Sequence, residues 1–336
     1  MKRSASLASP LKMASAPREA PAALAPAPHS FLSMRDLDQA QLASLLGLAS
    51  ELKADRRLGR GAPTANLLAG HHVALVFEKP SLRTRSTFEI AVRELGGEVI
   101  LPEGSSILGS RESIEDVARN LERWVSVVII RTFGQRRLES FAEAAPRLHV
   151  INALTDEEHP CQALADLLTL HEHWGALEGR TLAYVGDGNN VATSLAEACV
   201  MSGIHVRIAS PAGYTLPADA VVRVKALARS GATLQCLDDP VAAVRGAQAV
   251  YTDVWTSMGQ EAERAQRSKA FAGFQVTSAL MAHADPGALF MHCLPAHRGE
   301  EVTGEVMDAP TSVVFDQAEN RLHAQKALLV MLCGQG

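Results

Sequence analysis

The 336-residue chain has no apolar run long enough to cross a bilayer, so nothing in it predicts a membrane-spanning helix. It also lacks an excess of positive charge. The net charge is −5, which gives no overall attraction to nucleic acid or to an anionic membrane surface. Any anion site must therefore be a local concentration of arginine. Cysteine is sparse: the five, Cys161, Cys199, Cys236, Cys293 and Cys333, are odd in number and form no Cys-x-x-Cys pair. That pattern argues against a zinc site and a disulfide framework, and suits a reducing compartment. No internal repeat is visible. What is present is the composition of a soluble globular protein, 47% hydrophobic and 21% charged, with room for two domains of ordinary size.

Residues 1–30 are rich in Ala, Pro and Ser, with Lys2, Arg3, Lys12 and Arg18 against a single acid, Glu19. Repeated proline argues against a continuous helix, so a flexible tail is expected, with an organelle transit peptide as the alternative. Arginine outnumbers lysine and alanine is abundant, as in GC-rich bacterial genomes; on that ground the cytoplasm is expected rather than the mitochondrial matrix.

The stretch that organises the rest is Phe77-Glu78-Lys79-Pro80-Ser81-Leu82-Arg83-Thr84-Arg85-Ser86-Thr87-Phe88-Glu89. It follows an apolar run, His72 to Phe77, that reads as a buried strand, and leads into the helical spacing of Phe88, Ile90, Ala91 and Leu95. A strand turning into a helix N-terminus that carries hydroxyls and arginines suits an anion, because free backbone N–H groups and the helix dipole point at the turn. Arg83 and Arg85 add planar donors that fit phosphate or carboxylate.

The remainder alternates strand and helix. A helical segment is expected from His29 through Leu48, with Asp36 or Asp38 as its cap. Strands follow near 98–101, 125–130 and 150–151, with helices at 114–124, 138–145 and 161–173. A second series has strands at 182–186, 205–208, 233–236, 249–253, 289–291 and 313–315, and helices at 191–202, 218–229, 240–245 and 317–333. This predicts an α/β protein of two domains, each a parallel sheet with helices on both faces. Ligands in such sheets bind at the carboxyl ends of the strands.

The polar clusters fall at those ends: Arg131 to Gln135, His159-Pro160-Cys161-Gln162, Asp253 to Gly259, and His292-Cys293-Leu294-Pro295. Gly186-Asp187-Gly188-Asn189-Asn190 approaches a dinucleotide fingerprint. Its third glycine is missing, and no acid ends the next strand to hold a ribose, so a zwitterionic or carboxylate ligand fits better than a nucleotide.

These motifs, together with Glu319-Asn320-Arg321, resemble the transcarbamylase family, and its ornithine branch most, from about residue 30 to the C-terminus. The resemblance implies a carbamoyl phosphate-binding domain formed by residues 31–172 plus 317–336, and an ornithine-binding domain at 173–316. The active site would lie between them, in a homotrimer with sites at subunit boundaries. It implies transfer of the carbamoyl group of carbamoyl phosphate to the δ-amine of L-ornithine, giving citrulline and phosphate for arginine biosynthesis, with no cofactor and no metal. By motif match, Ser81, Leu82 through its backbone, Arg83, Thr84 and Arg321 would hold the phosphate. Arg131, His159 and Gln162 would hold the carbamoyl end. Asn190, Asp253, Ser257 and Met258 would bind ornithine, with Cys293 and Leu294 lining the reacting centre.

Two positions depart from the family pattern. Leu82 stands where many relatives have Thr, and Ile107 where they commonly have a Gln that contacts carbamoyl phosphate; Ser106, Ser110 or Arg111 are the candidates to replace it. Arg85 and His292 read as structural. A thiol beside a carboxylate resists ionisation, so Cys293 is expected to position rather than to attack. The alternatives are a sister transcarbamylase acting on N-acetylornithine, putrescine or aspartate, and, from other classes, a nucleotide-dependent oxidoreductase or a silent binding protein.

Overall fold

In the computed structural model of the chain the described residues are 27–102, 108 and 111–334. Residues 29–31 run beside the edge of the first sheet. The Phe31 N–H donates to Val150 O at 2.8 Å, and Phe31 bridges Ile151 in parallel. The helix expected from His29 starts later. A turn of 3-10 helix at Met34–Asp36 is capped by Ser33, and α1 (Gln39–Asp55) is capped by Asp38 in a capping box with Gln41. The apolar spacing ran on through both, but two caps in succession stop a single helix from forming.

The first unit continues with β1 (His72–Phe77), α2 (Leu82–Glu94), β2 (Glu98–Ile100), α3 (Ile114–Leu121), β3 (Val127–Arg131), α4 (Gln135–Ala144), β4 (His149–Leu154) and α5 (Pro160–Trp174). Its four strands are parallel in the order β2-β1-β3-β4. The second has β5 (Thr181–Val185), α6 (Asn190–Met201), β6 (His205–Ala209), α7 (Ala218–Leu227), β7 (Leu234–Leu237), α8 (Pro240–Val244) and β8 (Ala249–Thr252). It closes with α9 (Arg264–Ala270), α10 (Ser278–Met281), β9 (Leu289–His292) and α11 (Gly304–Met307). These five strands are parallel in the order β7-β6-β5-β8-β9. The inner strands β3, β5 and β8 are nearly continuous buried apolar runs, as parallel strands covered on both faces must be, whereas the edge strands β2 and β7 are partly exposed.

Each sheet has one place where the strand order reverses: between β1 and β3 in the first, and between β5 and β8 in the second. Loops leaving adjacent strands at such a point diverge and open a crevice at the carboxyl ends. The turn at 78–81, Arg131, Gly186 to Asn189 and Asp253 all sit at those two points.

The last helix, α12 (Val314–Cys333), packs on α1, α2 and α5 of the first unit, and its buried residues include Asn320, Arg321 and Lys326. The strand expected at 313–315 does not form. Phe290 exchanges hydrogen bonds with Thr311 and Val313, Ser312 makes an isolated bridge, and the helix has begun by Val314, leaving Phe315 69% exposed. Three apolar residues in a row carry no period, so they could not distinguish a strand from a helix start.

Candidate active site

Ser81 caps α2, its Oγ accepting the Thr84 N–H at 3.3 Å, so the turn after β1 presents a helix N-terminus to the cleft. Leu82 projects outward, 78% exposed, leaving only its backbone for the cleft. Arg131 ends β3, and His159 stands at the N-cap of α5 with Pro160 behind it. Arg321 reaches in from α12: its Nη2 donates to Thr84 Oγ1 at 2.7 Å and its Nη1 to Gln162 Oε1 at 2.5 Å. Gln162 Nε2 donates in turn to the fully buried Asp166 at 2.8 Å, and Asp166 also accepts from Gln317 and from Tyr251. Burial pushes the Asp166 carboxyl up to about 6.

The second sheet supplies the opposite wall. Asp253 follows β8; its Oδ1 accepts the Cys293 S–H at 3.0 Å, and its Oδ2 accepts Asn189 Nδ2 at 2.9 Å. All the candidate residues line one cleft of about 620 Å³: Ser81, Leu82, Arg83, Thr84, Arg131, His159, Gln162, Asn190, Asp253, Ser257, Met258, Cys293, Leu294 and Arg321. Asn190 lines it but donates its amide to Thr155 O at 2.6 Å. The direct partner of Asp253 is its neighbour Asn189, which also caps α6. Sequence reasoning passed over Asn189 because two adjacent asparagines at a helix start differ only in which one turns inward.

Lys79 was also missed. It is 9% exposed, lines the cleft, pairs with Asp156 and lies 4.5 Å from the Phe133 ring centroid. Arg85 faces away and pairs with Glu89 one turn along its own helix, at 3.1 Å. Ile107, Ser106 and Ser110 lie outside the described residues, and Arg111 is exposed.

The electrostatics favour an anion. Burial, then Arg321 and Arg83, bring the Arg131 guanidinium down to about 10. Burial likewise lowers Arg321. Burial with Arg321 and Arg131 nearby holds His159 well below the usual imidazole range, so its ring is neutral. Nε of Arg131, Nε of Arg321 and Nδ1 of His159 are buried with no hydrogen-bond partner. The sulfur of Cys293 is pushed well above the ordinary thiol range by burial and by the Asp253 carboxylate, so it is not a thiolate nucleophile.

Gly188 is needed for packing on the chain itself: a Cβ there would meet Leu216 N at 2.3 Å. Asp187 is taken by Arg267 at 2.9 Å, so the glycine turn is filled by its own neighbours. Asp253, His292 and Cys293, and separately His297, Glu300 and Glu301, bring possible metal ligands within 4.8 Å of one another. Cys293 donates to Asp253, His292 uses both ring nitrogens, and Glu300 pairs with Arg264, so hydrogen bonds already account for much of both groups.

Beneath His159 lies a buried carboxylate pair, Glu158 and Glu197. The His159 N–H donates to Ser194 Oγ at 2.9 Å, and Ser194 donates to Glu158, which Ser33 also contacts at 3.1 Å. Burial and the neighbouring Glu158 raise Glu197 to about 8, with Arg223 3.6 Å away as partial relief. The folded-state value lies above the unfolded one of 4.5, so the folded chain holds a proton that the unfolded chain releases. Stability from this group is therefore lost as pH rises from about 4.5 through about 8. Glu197→Gln is expected to raise the melting temperature by a few degrees at pH 9 and hardly at pH 5, equivalent to about 1–3 kcal/mol of relieved burial, as checked by calorimetry across pH.

Two parallel sheets meeting at their carboxyl ends, with an arginine-rich cleft facing a carboxylate–thiol pair, define a two-domain α/β enzyme that holds an anionic substrate. Residues 29–172 match the carbamoyl-P binding domain of the aspartate/ornithine carbamoyltransferases, and residues 178–332 match their Asp/Orn binding domain. The ornithine carbamoyltransferase of Acidothermus cellulolyticus is 52% identical over 304 residues, 90% of this chain and 96% of that protein. The ornithine carbamoyltransferase of Symbiobacterium thermophilum is 52% identical over 305 residues, covering 90% and 97%. Among solved structures, ornithine carbamoyltransferase from Pyrococcus furiosus superposes with a TM-score of 0.88 at 44% identity, covering 92% of this chain and 98% of that one. The chain belongs to the aspartate/ornithine carbamoyltransferase family.

Proposed function

We propose that this protein transfers the carbamoyl group of carbamoyl phosphate to the δ-amine of L-ornithine, giving L-citrulline and phosphate, a step of arginine biosynthesis. The observation that carries this reading is that Arg83, Arg131 and Arg321 share one cleft with the Asp253–Cys293 pair. The α2 N-terminus, with Ser81, the Leu82 backbone, Arg83, Thr84 and Arg321, would hold the phosphate. Arg131, His159 and Gln162 would hold the carbamoyl end. The unpaired buried Nε of Arg131 and Nδ1 of His159 suit the oxyanion formed as the amine adds to the carbonyl carbon, before the bond to phosphate oxygen breaks. Holding the two substrates in contact supplies up to about 7–11 kcal/mol of the barrier reduction.

The amine must be neutral to attack, and free in water it is charged up to about pH 10.4, as lysine is. Asp253 and Cys293 would orient it and the Asp253 carboxylate would take up its proton, with Asn190, Ser257 and Met258 on the rest of ornithine and Leu294 beside the reacting centre. The packing of α12 on α1, α2 and α5 supports assigning residues 31–172 plus 317–336 to carbamoyl phosphate and 173–316 to ornithine. A homotrimer working in the cytoplasm is part of the same reading.

The test is an assay of the purified protein with carbamoyl phosphate. Citrulline is expected from ornithine, with little product from N-acetylornithine, putrescine or aspartate. Absence of citrulline overturns the proposal. Sedimentation of the same sample checks the trimer.

A further inference from the structure

His292 closes β9 and is fully buried, pointing to the opposite side of the strand from Cys293. Both of its ring nitrogens are engaged. Nδ1 lies 2.8 Å from the backbone nitrogen of Leu294. A backbone N–H can only donate, so Nδ1 is the acceptor and the ring proton sits on Nε2. Nε2 then donates to Glu301 Oε1 at 3.1 Å. Glu301 is itself wholly buried, and the same oxygen accepts the His297 N–H at 2.6 Å. Its other oxygen has no hydrogen-bond partner, and His297 Nδ1 lies 3.8 Å from it. A buried carboxylate left half-satisfied is costly, and such groups mark a constraint imposed for another reason.

The constraint is on the turn that follows β9. Leu294 sits at φ 58°, in the left-handed region that branched side chains avoid. Its N–H bond to His292 holds the backbone there, while the His292 backbone N–H is fixed by Gln317 of α12 at 3.0 Å. Cys293, between these two anchored residues, has its thiol aimed at Asp253. Neither His292 nor Glu301 lines the cleft, whereas Cys293 and Leu294 do.

We propose that Glu301, acting through the Nε2–H tautomer of His292, is a positioning residue that fixes the Cys293–Leu294 turn and so aims the thiol at Asp253. The proposal rests on the reading of the cleft as a carbamoyl-transfer site, but its geometry can be tested without that activity. The experiment compares Glu301→Ala, Glu301→Gln and His292→Asn by circular dichroism, steady-state kinetics and the rate at which iodoacetamide labels Cys293, read by peptide mass spectrometry.

Glutamine keeps an acceptor for His292 and His297, so Glu301→Gln should behave within about twofold of the parent. Glu301→Ala should lower kcat about tenfold or more and leave the KM of carbamoyl phosphate within about twofold. It should also raise Cys293 labelling severalfold, because a thiol released from Asp253 ionises more readily. If Glu301→Ala does not fold, His292→Asn carries the test. Asn can still accept the Leu294 N–H in an Asx turn but does not span to Glu301, so its labelling rate should rise less than for a full release and more than for Glu301→Gln. Unchanged labelling and kcat in the folded variants, or an equal rise in both KM values without a change in labelling, overturns the proposal. If the parent makes no citrulline, the functional reading fails and the labelling rates still decide the positioning.

Discussion

Replacing Arg321 with alanine is expected to weaken carbamoyl phosphate binding by roughly 10²–10³-fold, with little loss of folding. Arg321 is 2% exposed on α12 and ties Thr84 of the anion turn to Gln162 of α5. Its Nε has no partner in the protein, its charge helps to depress the Arg131 guanidinium, and Arg83 helps to depress both. Such a group is stabilised by an arriving anion. Hydrogen bonds to charged groups contribute about 1.5–3 kcal/mol each, and about 1.4 kcal/mol is tenfold in affinity, so losing two near the lower end of that range, about 3–4 kcal/mol in all, gives the stated factor. Lysine at 321 should not restore binding, because a single ammonium cannot reach Thr84 and Gln162 in the way the planar fork does. The control is Arg298→Ala. Arg298 pairs with Asp308 at 2.8 Å on the surface, so carbamoyl phosphate KM should stay within about twofold. Titration calorimetry with carbamoyl phosphate and with inorganic phosphate measures both variants; equal behaviour sinks the assignment of the anion turn.

Asp253→Asn should instead act on the amine side. Asp253 accepts the Cys293 S–H, the Asn189 amide and the Val254 N–H. An asparagine there turns one acceptor into a donor, which then opposes the thiol proton or the Asn189 amide. A positioned proton acceptor typically contributes 10²–10⁴ in rate, so kcat should drop by about that factor while the KM of carbamoyl phosphate hardly moves. Removing the carboxylate also removes the largest cause after burial that holds the Cys293 thiol up, so its labelling by iodoacetamide should speed up. A variant that keeps kcat but loses carbamoyl phosphate binding would place Asp253 on the wrong substrate.

The strand order and the loop partners separate what was legible from what was not. The apolar runs at 72–77, 125–130 and 249–252 could be read as buried parallel strands because their neighbours on both faces demand the same residue type. Ser81 could be read as a cap because capping is a local hydrogen bond three residues long. The run at 313–315 was misread for the opposite reason, since nothing local says whether three apolar residues start a helix. Asn189 and Lys79 were passed over because their partners, Asp253 and Asp156, lie 64 and 77 residues away.

The sequence by itself determined the alternation of strand and helix, the anion-ready turn at Ser81 to Thr84, and the set of polar residues at strand ends. Those properties depend on period, capping and backbone restriction within a few residues. Only the tertiary structure decided that Arg321 closes the turn from 237 residues away, that Asn189 rather than Asn190 holds Asp253, and that Glu301 locks His292 behind Cys293. A hydrogen bond between distant segments depends on how the two sheets and α12 pack. That packing is set by the whole apolar core, and no short stretch of sequence records it.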